Sequence, residues 1–259
     1  MTALDRWAPA SRTELLRTLV ERQLRLRSKR SVMGVLWPFL APLFLLGLYS
    51  YVFGRVFDVP IDDYPAYLFV GLLPWSFLVQ SVHDALQSIS FEPDLVRRAP
   101  FPYHYLALSR VVVMAAPFAV LLVGLVGWLA VTRGVRVELL PLLVAPLSSL
   151  VLIVASLSVL LALLDVFNRD LRFVLHNLLT VWFFLIPIVY RPEMAGDALA
   201  SVRAVDPMHH VVEQFRQVLY WGRVDDPWSM VLLVAATGTV FIGSLAVFRR
   251  LAHELPKQV

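Results

Sequence analysis

Six stretches of the chain contain no Asp, Glu, Lys or Arg: Val32–Phe53, Tyr64–Val82, Val111–Thr132, Leu139–Leu164, Phe173–Tyr190 and Trp228–Phe248, each 18 to 26 residues long. At about 1.5 Å of rise per residue, some 20 helical residues reach across a hydrocarbon core about 30 Å thick. A charge at mid-membrane costs about 2.5–3.5 kcal/mol while a Leu or Ile returns only about 0.3–0.6, so charge-free runs of this length predict spans. The expected fold is an all-α, polytopic membrane protein with six transmembrane helices. The fifth run is the shortest and carries His176 and Asn177 near one end. Eight prolines fall inside the runs (Pro38, Pro42, Pro65, Pro74, Pro117, Pro141, Pro146 and Pro187), which predicts kinked or broken helices packed as a bundle so that neighbours satisfy the freed carbonyls.

Ahead of the first run lies a different pattern. From Ser11 to Arg30 the apolar residues Leu15, Leu16, Leu19, Val20, Leu24 and Leu26 share about half of a helical wheel, opposite Glu14, Arg17, Thr18, Glu21 and Arg25. This predicts an amphipathic helix lying flat at a membrane surface, with a Ser11/Glu14 capping box at its start and a Glu21–Arg25 pair one turn apart. Eight Lys or Arg residues lie between Met1 and Ser31, and basic flanks are retained in the cytoplasm. Six spans then return the C-terminus to the same side. The segments expected inside hold 15 positive residues against seven outside. The expected organisation is a cytoplasmic amphipathic helix over 1–31, a six-helix transmembrane domain over 32–248 and a cytoplasmic tail over 249–259. Arg110, at the inner mouth of the third span, is placed to snorkel.

Composition agrees with a lipid solvent: 59% of residues are hydrophobic and 16% charged, against about 45–50% and 25% in soluble domains. The net charge of +4 reads as orientation and not as a nucleic-acid surface. There is no cysteine, which excludes disulfides, thiolate metal sites and thiol nucleophiles. The first run is too long and too far along the chain for a signal peptide, so it is expected to remain.

Two connecting segments carry structure of their own. In 83–102, expected on the cytoplasmic side, the turn Glu92-Pro93-Asp94 precedes Leu95, Val96, Arg97 and Arg98, and Pro100 and Pro102 close it. That is either a stiff connector or a short helix that docks a partner. In 191–227, Asp206-Pro207 signals an N-cap and first turn, and Met208, Val211, Val212, Phe215, Val218 and Leu219 follow at helical spacing, predicting a half-buried helix on the outer face. His209 and Glu213 are one turn apart but no third ligand is visible at suitable spacing, so no metal site is expected. Asp165, Asn168, Arg169, Asp170 and Arg172 form a compact inner cluster, for which local pairing such as Asp165 with Arg169 is a ready account.

The chain lacks a G-x-x-x-x-G-K-[ST] phosphate loop, a G-x-S-x-G elbow and an H-E-x-x-H motif, and none of the six runs contains a carboxylate that could couple transport to an ion gradient. Catalytic residues are therefore not expected. Tyr49, Tyr51, Phe69, Trp75, Trp182, Phe183, Phe184 and Tyr190 are more aromatics than interfacial anchoring needs, and rings of this kind either pack a bundle or line a wet path for sugars.

At this point the pattern resembles a family, the membrane subunit of polysaccharide ABC exporters, the permeases for O-antigen, teichoic acid and related lipid-linked glycans. The resemblance covers nearly the whole chain. It rests on Arg27 to Pro38, a basic-Ser-x-x-Gly-x-Leu-Trp approach to the first span; on Leu95 to Arg98 ahead of Phe101-Pro102; on Asn168-Arg169-Asp170 after the fourth span; and on the Asp206-Pro207 helix with Phe215-Arg216. Two departures are Asp206, where the family usually has Asn, and Glu92-Pro93-Asp94 in place of an Asn-rich turn. The resemblance implies a bacterial cytoplasmic-membrane permease that dimerises with a second copy of itself and moves a lipid-linked polysaccharide. It further implies that a separate nucleotide-binding ATPase subunit holds the ATP and Mg, with no cofactor on this chain. Phe91, Asp94, Leu95, Arg97, Arg98 and Phe101, with Glu21 and Arg25 on the amphipathic helix, would then contact that ATPase, and the eight aromatics named above would line the channel. Two other readings stay open: a permease of the same fold for a drug or lipid, and an integral-membrane enzyme on a lipid-linked sugar, for which Asp165, Asp170, His104 and His176 are the inner candidates.

Overall fold

The computed structural model describes residues 12–30, 32–57, 59–92, 102–168, 170–196 and 199–252. Ser11, Asp94, Leu95, Arg97, Arg98, Phe101 and Arg169 lie outside these, so the capping box and most of the expected coupling segment are not described. Nine α-helices and no strand occur among the described residues: α1 (Arg12–Arg30), α2 (Val32–Tyr51), α3 (Tyr64–Leu86), α4 (His104–Thr132), α5 (Val144–Phe167), α6 (Leu171–Leu185), α7 (Ala200–Val205), α8 (Pro207–Arg216) and α9 (Pro227–Leu251). Five stretches are long and apolar enough to cross a membrane: α2 with its continuation to Val56, α3, α4, α5 with the preceding 3-10 turn, and α9. α6 is apolar but only 15 residues long.

The prolines explain much of this punctuation. Pro65 sits in the first turn of α3, and Pro146 in that of α5, where a missing N–H leaves no carbonyl unpaired. Pro141 lies in the 3-10 turn leading into α5. Pro38, Pro42, Pro74 and Pro117 are carried inside α2, α3 and α4. Pro187 has the largest effect. It forces its predecessor Ile186 into an extended conformation (φ −83°, ψ 128°), so the fifth run stops being helical at Leu185 instead of continuing to Tyr190.

The helices alternate in direction, giving the bundle two ends. The end carrying α1 is called basal here, and the end carrying α7 and α8 distal. α3 is the centre, with 83% of its apolar window buried, whereas α2 buries 11% of its own. α4 and α5 flank α3, α8 lies against both α3 and α5, and α9 runs along α5. One large apolar core joins these elements through residues such as Leu68, Leu72, Leu150, Val154, Val212 and Phe215. A second, basal core is formed where Leu15 and Leu19 of α1 meet Ala85, Ile89, Leu106 and Phe248. The stripe that α1 buries is therefore Leu15, Leu19 and Gln23, while Leu24 and Leu26 remain exposed.

Candidate functional site: a charged junction and a carbonyl clamp

At the basal end, the C-terminal turn of α3 and the residues after it are tied to four helices. Asp84 receives Arg27 of α1 (Nη2–Oδ2 2.7 Å) and faces Arg110 of α4 (3.7 Å). Arg110 thus turns inward to a carboxylate and is mostly buried, which replaces the expected snorkelling. Glu92 accepts from Arg22 of α1 at 2.9 Å. Ser90 donates to Asp165 Oδ2 of α5 at 2.6 Å. Asp165, wholly buried, also accepts from Arg172 of α6 through Nε (2.7 Å) and Nη2 (2.9 Å). The Arg172 guanidinium lies over the Phe91 ring, 5.6 Å from its centroid.

This fork-to-fork pair is the geometry in which Arg binds carboxylate most strongly. It joins Asp165 to a residue seven positions on, across the turn between α5 and α6; the expected Asp165–Arg169 pairing lies outside the described residues. Asp170 contributes through its backbone amide, which donates to Asn168 Oδ1. On the outer face of α1, Glu21 accepts from Arg17 (2.9 Å) and Arg25 (3.3 Å). The Arg17 hydrogen bond, followed by its charge and by Arg25, holds the Glu21 carboxyl below its ordinary range.

The distal end is built differently. Past Leu185 the chain is unwound, and an unpaired carbonyl in an apolar bundle costs several kcal/mol. Arg216, at the end of α8 and 1% exposed, donates to the carbonyls of Pro187 (2.7 Å) and Ile188 (2.9 Å). Tyr64 and Tyr67 of α3 donate to the carbonyls of Val189 (2.8 Å) and Tyr190 (2.9 Å). Four successive carbonyls are satisfied by three side chains. The guanidinium also stacks on Tyr67, 3.7 Å from the ring centroid. Gly71 makes room for it, because a Cβ there would stand 2.9 Å from Arg216 Nη2.

Asp206 caps α8 as the sequence predicts, accepting from the Met208 amide at 2.9 Å, and its other oxygen accepts from Trp182 Nε1 at 2.8 Å. The expected outer helix is therefore bolted to α6 as well as capped. Burial pushes the His209 imidazole down to about 4, helped by the charges of His210, Arg203 and Arg216. Among the described residues no group of three His, Cys, Asp or Glu is placed to hold a metal.

The aromatics divide. Tyr49, Trp75, Trp182 and Phe183 form one cluster, with Tyr49 stacked on Phe183 at 5.5 Å and Trp75 edge-on to Trp182 at 5.5 Å. Phe69 is buried in the large core. Tyr51 and Phe184 are exposed, and Tyr190 donates to the Phe184 carbonyl. His176 is exposed with its ring 6.1 Å from that of His83. His104 packs against Tyr105 and Phe248. With Asp165 saturated by Arg172 and Ser90, the inner acid and base candidates do not form a reacting centre among the described residues.

The clamp was not found from the sequence. Arg216 counts there only among the outer charges and beside Phe215 in the family motif, yet it stands four residues after Val212 and eight after Met208, on the face those residues bury. An arginine in phase with a buried stripe is the signal that would have found it. Arg27 is legible in the same way, four residues after Gln23 on the stripe α1 buries.

These features define a class: a multi-pass membrane protein whose titratable groups gather at the two ends of an apolar bundle and join helices to one another. The chain belongs to the ABC-2 type transporter family, whose description matches residues 14–220. It is 32% identical over 251 residues to the O-antigen export system permease protein RfbA of Myxococcus xanthus, with 95% of each chain covered. A protein of the same name from Klebsiella pneumoniae is 26% identical over 244 residues, 93% of each chain. The polysialic acid transport protein KpsM of Escherichia coli is 27% identical over 239 residues, 88% of this chain and 90% of that one.

Proposed function

We propose that this chain is the membrane-spanning subunit of an ATP-driven exporter that moves a lipid-linked polysaccharide across the bacterial cytoplasmic membrane. Two copies form the path, and a separate nucleotide-binding subunit under each copy supplies ATP and Mg. The basal end faces the cytoplasm, a reading supported by the basic flank of the first span. Likeness to export permeases along nearly the whole chain supports the substrate class.

The observation that carries the coupling role is the junction around 84–92. Asp84, Ser90 and Glu92 connect this segment to α1, α4 and α5, and Arg172 extends the connection to α6. A push on 93–101 from a moving ATPase therefore reaches four helices through side chains already in contact, and the exposed Glu21–Arg25 face of α1 gives the same partner a second hold. Replacing Arg97 and Arg98 together by Glu abolishes surface polysaccharide in a strain lacking its own exporter, while the chain still inserts at wild-type level. Full export by that double variant would overturn the coupling assignment.

A further inference from the structure

At the basal end a cleft of about 800 Å³ opens between α1, α2, α3 and α4. Its volume is in the range of ligand sites, about 300–1,000 Å³. The lining is divided. One wall is apolar, with Met33 and Trp37 of α2 and Met114 of α4; the other carries Arg27 and Arg110 beside the carboxylates of Asp84 and Glu92, with Gln80 and Gln87. Trp37 is 57% exposed, a large ring presented to the opening and not packed away.

Charge bookkeeping points to the occupant. Of the described groups, the guanidiniums of Arg22, Arg27 and Arg110 meet two carboxylates, Asp84 and Glu92. Arg22 is matched by Glu92, so Arg27 and Arg110 share the single charge of Asp84. One positive charge is left over in this wall, and among the described residues Arg110 Nε and Arg22 Nη1 have no hydrogen-bond partner, as the Asp84 Oδ2 acceptor has none beyond its ion contact with Arg27. Such a site favours an anion over a neutral amphiphile. Gln80 and Gln87 bring amide donors and acceptors suited to sugar hydroxyls, and an indole ring stacks on the apolar face of a sugar. The cleft lies where α2 begins and α3 ends, the polar boundary of the bundle. From there α2 exposes Leu36, Leu40 and Phe44, an apolar surface on which an acyl or prenyl tail can lie.

We propose that this cleft holds the phosphoryl-sugar headgroup of a lipid-linked glycan, with Arg110 and Arg27 on the phosphate and Trp37, Gln80 and Gln87 on the first sugar. The assignment rests on the exporter reading above and deepens it by locating where the substrate is taken up. The chain has no cysteine, so Met33→Cys provides a single position for an environment-sensitive fluorophore on the full chain in nanodiscs. The probes are a polyprenyl diphosphate bearing one N-acetylglucosamine, the same diphosphate without sugar, phosphatidylglycerol and inorganic pyrophosphate.

The sugar-bearing lipid is expected to bind at least about tenfold more tightly than phosphatidylglycerol, and Arg110→Gln to weaken it by about tenfold. Should Arg110→Gln fail to fold, Gln80→Glu keeps Arg27, Arg110 and Asp84 in place and adds a negative charge to the cleft one turn from Asp84, and the same weakening is expected. Trp37→Leu removes the advantage of the sugar-bearing over the sugar-free diphosphate. Equal binding of the lipid diphosphate by wild type and Gln80→Glu overturns the cleft assignment and leaves the exporter reading standing. Phosphatidylglycerol binding as tightly as the sugar lipid assigns the cleft to bulk lipid, and inorganic pyrophosphate binding as tightly assigns it to a free anion; either overturns the proposal. Failure of the wild-type chain to restore polysaccharide export in a strain lacking its own exporter, while it binds the sugar lipid normally, would count against the exporter reading alone.

Discussion

The two ends of the bundle solve the same problem, holding helices together in a solvent that offers no hydrophobic drive between them, by opposite means. The distal end uses one fully buried cation that has no water to fall back on and gives its two Nη groups to backbone carbonyls. The basal end uses several ion pairs whose guanidiniums keep part of their surface in solvent, although Asp165 itself is wholly buried. A buried cation on fixed carbonyls has one arrangement, whereas guanidiniums that still reach water have several. The distal end is therefore the fixed point of the molecule and the basal end its adjustable part, which is what the proposed drive from the basal side would require.

The comparison can be broken at its strongest point first. Arg216→Met strips the Pro187 and Ile188 carbonyls of their donor and is expected to cost about 3–5 kcal/mol, read as a lower midpoint in detergent-titrated unfolding. Gly71→Ala pushes a methyl group against the pinned guanidinium and against Val212, at 2.9 and 3.3 Å, and is expected to cost about 1–3 kcal/mol in the same assay. At the basal end Asp165→Asn breaks a two-pronged pair, but Arg172 is 27% exposed and can rehydrate, so a loss of about 1–2 kcal/mol is expected. Smallest is the Arg22–Glu92 pair, whose coupling in a double-mutant cycle should lie at about 0–1 kcal/mol. A basal substitution more damaging than Arg216→Met would reverse the assignment of fixed and adjustable ends.

Much of the frame was legible from charge-free runs alone, because a charge in lipid is expensive enough that its absence over 20 residues is informative. Pattern could not tell which helix is central. α3 is the least hydropathic of the five long stretches and the most buried, while the more hydropathic α2 faces outward. In lipid, being apolar earns no place inside; small and polar side chains that pack or hydrogen-bond do. The α8 cap at Asp206 was legible because capping is local. The Asp165–Arg172 pair, the Asp84 hub and the Arg216 clamp were not, because each joins residues that only the folded chain brings together. The truncation of α6 could have been read from Pro187 and the extended residue before it.

That truncation has a consequence for the membrane itself. At about 1.5 Å per residue, the 15 residues of α6 measure about 22 Å, roughly 8 Å less than an average hydrocarbon core. Where such a short apolar segment meets lipid, it is accommodated by local thinning of the bilayer. One proline thus shortens the apolar barrier that α6 presents toward the distal end of the bundle.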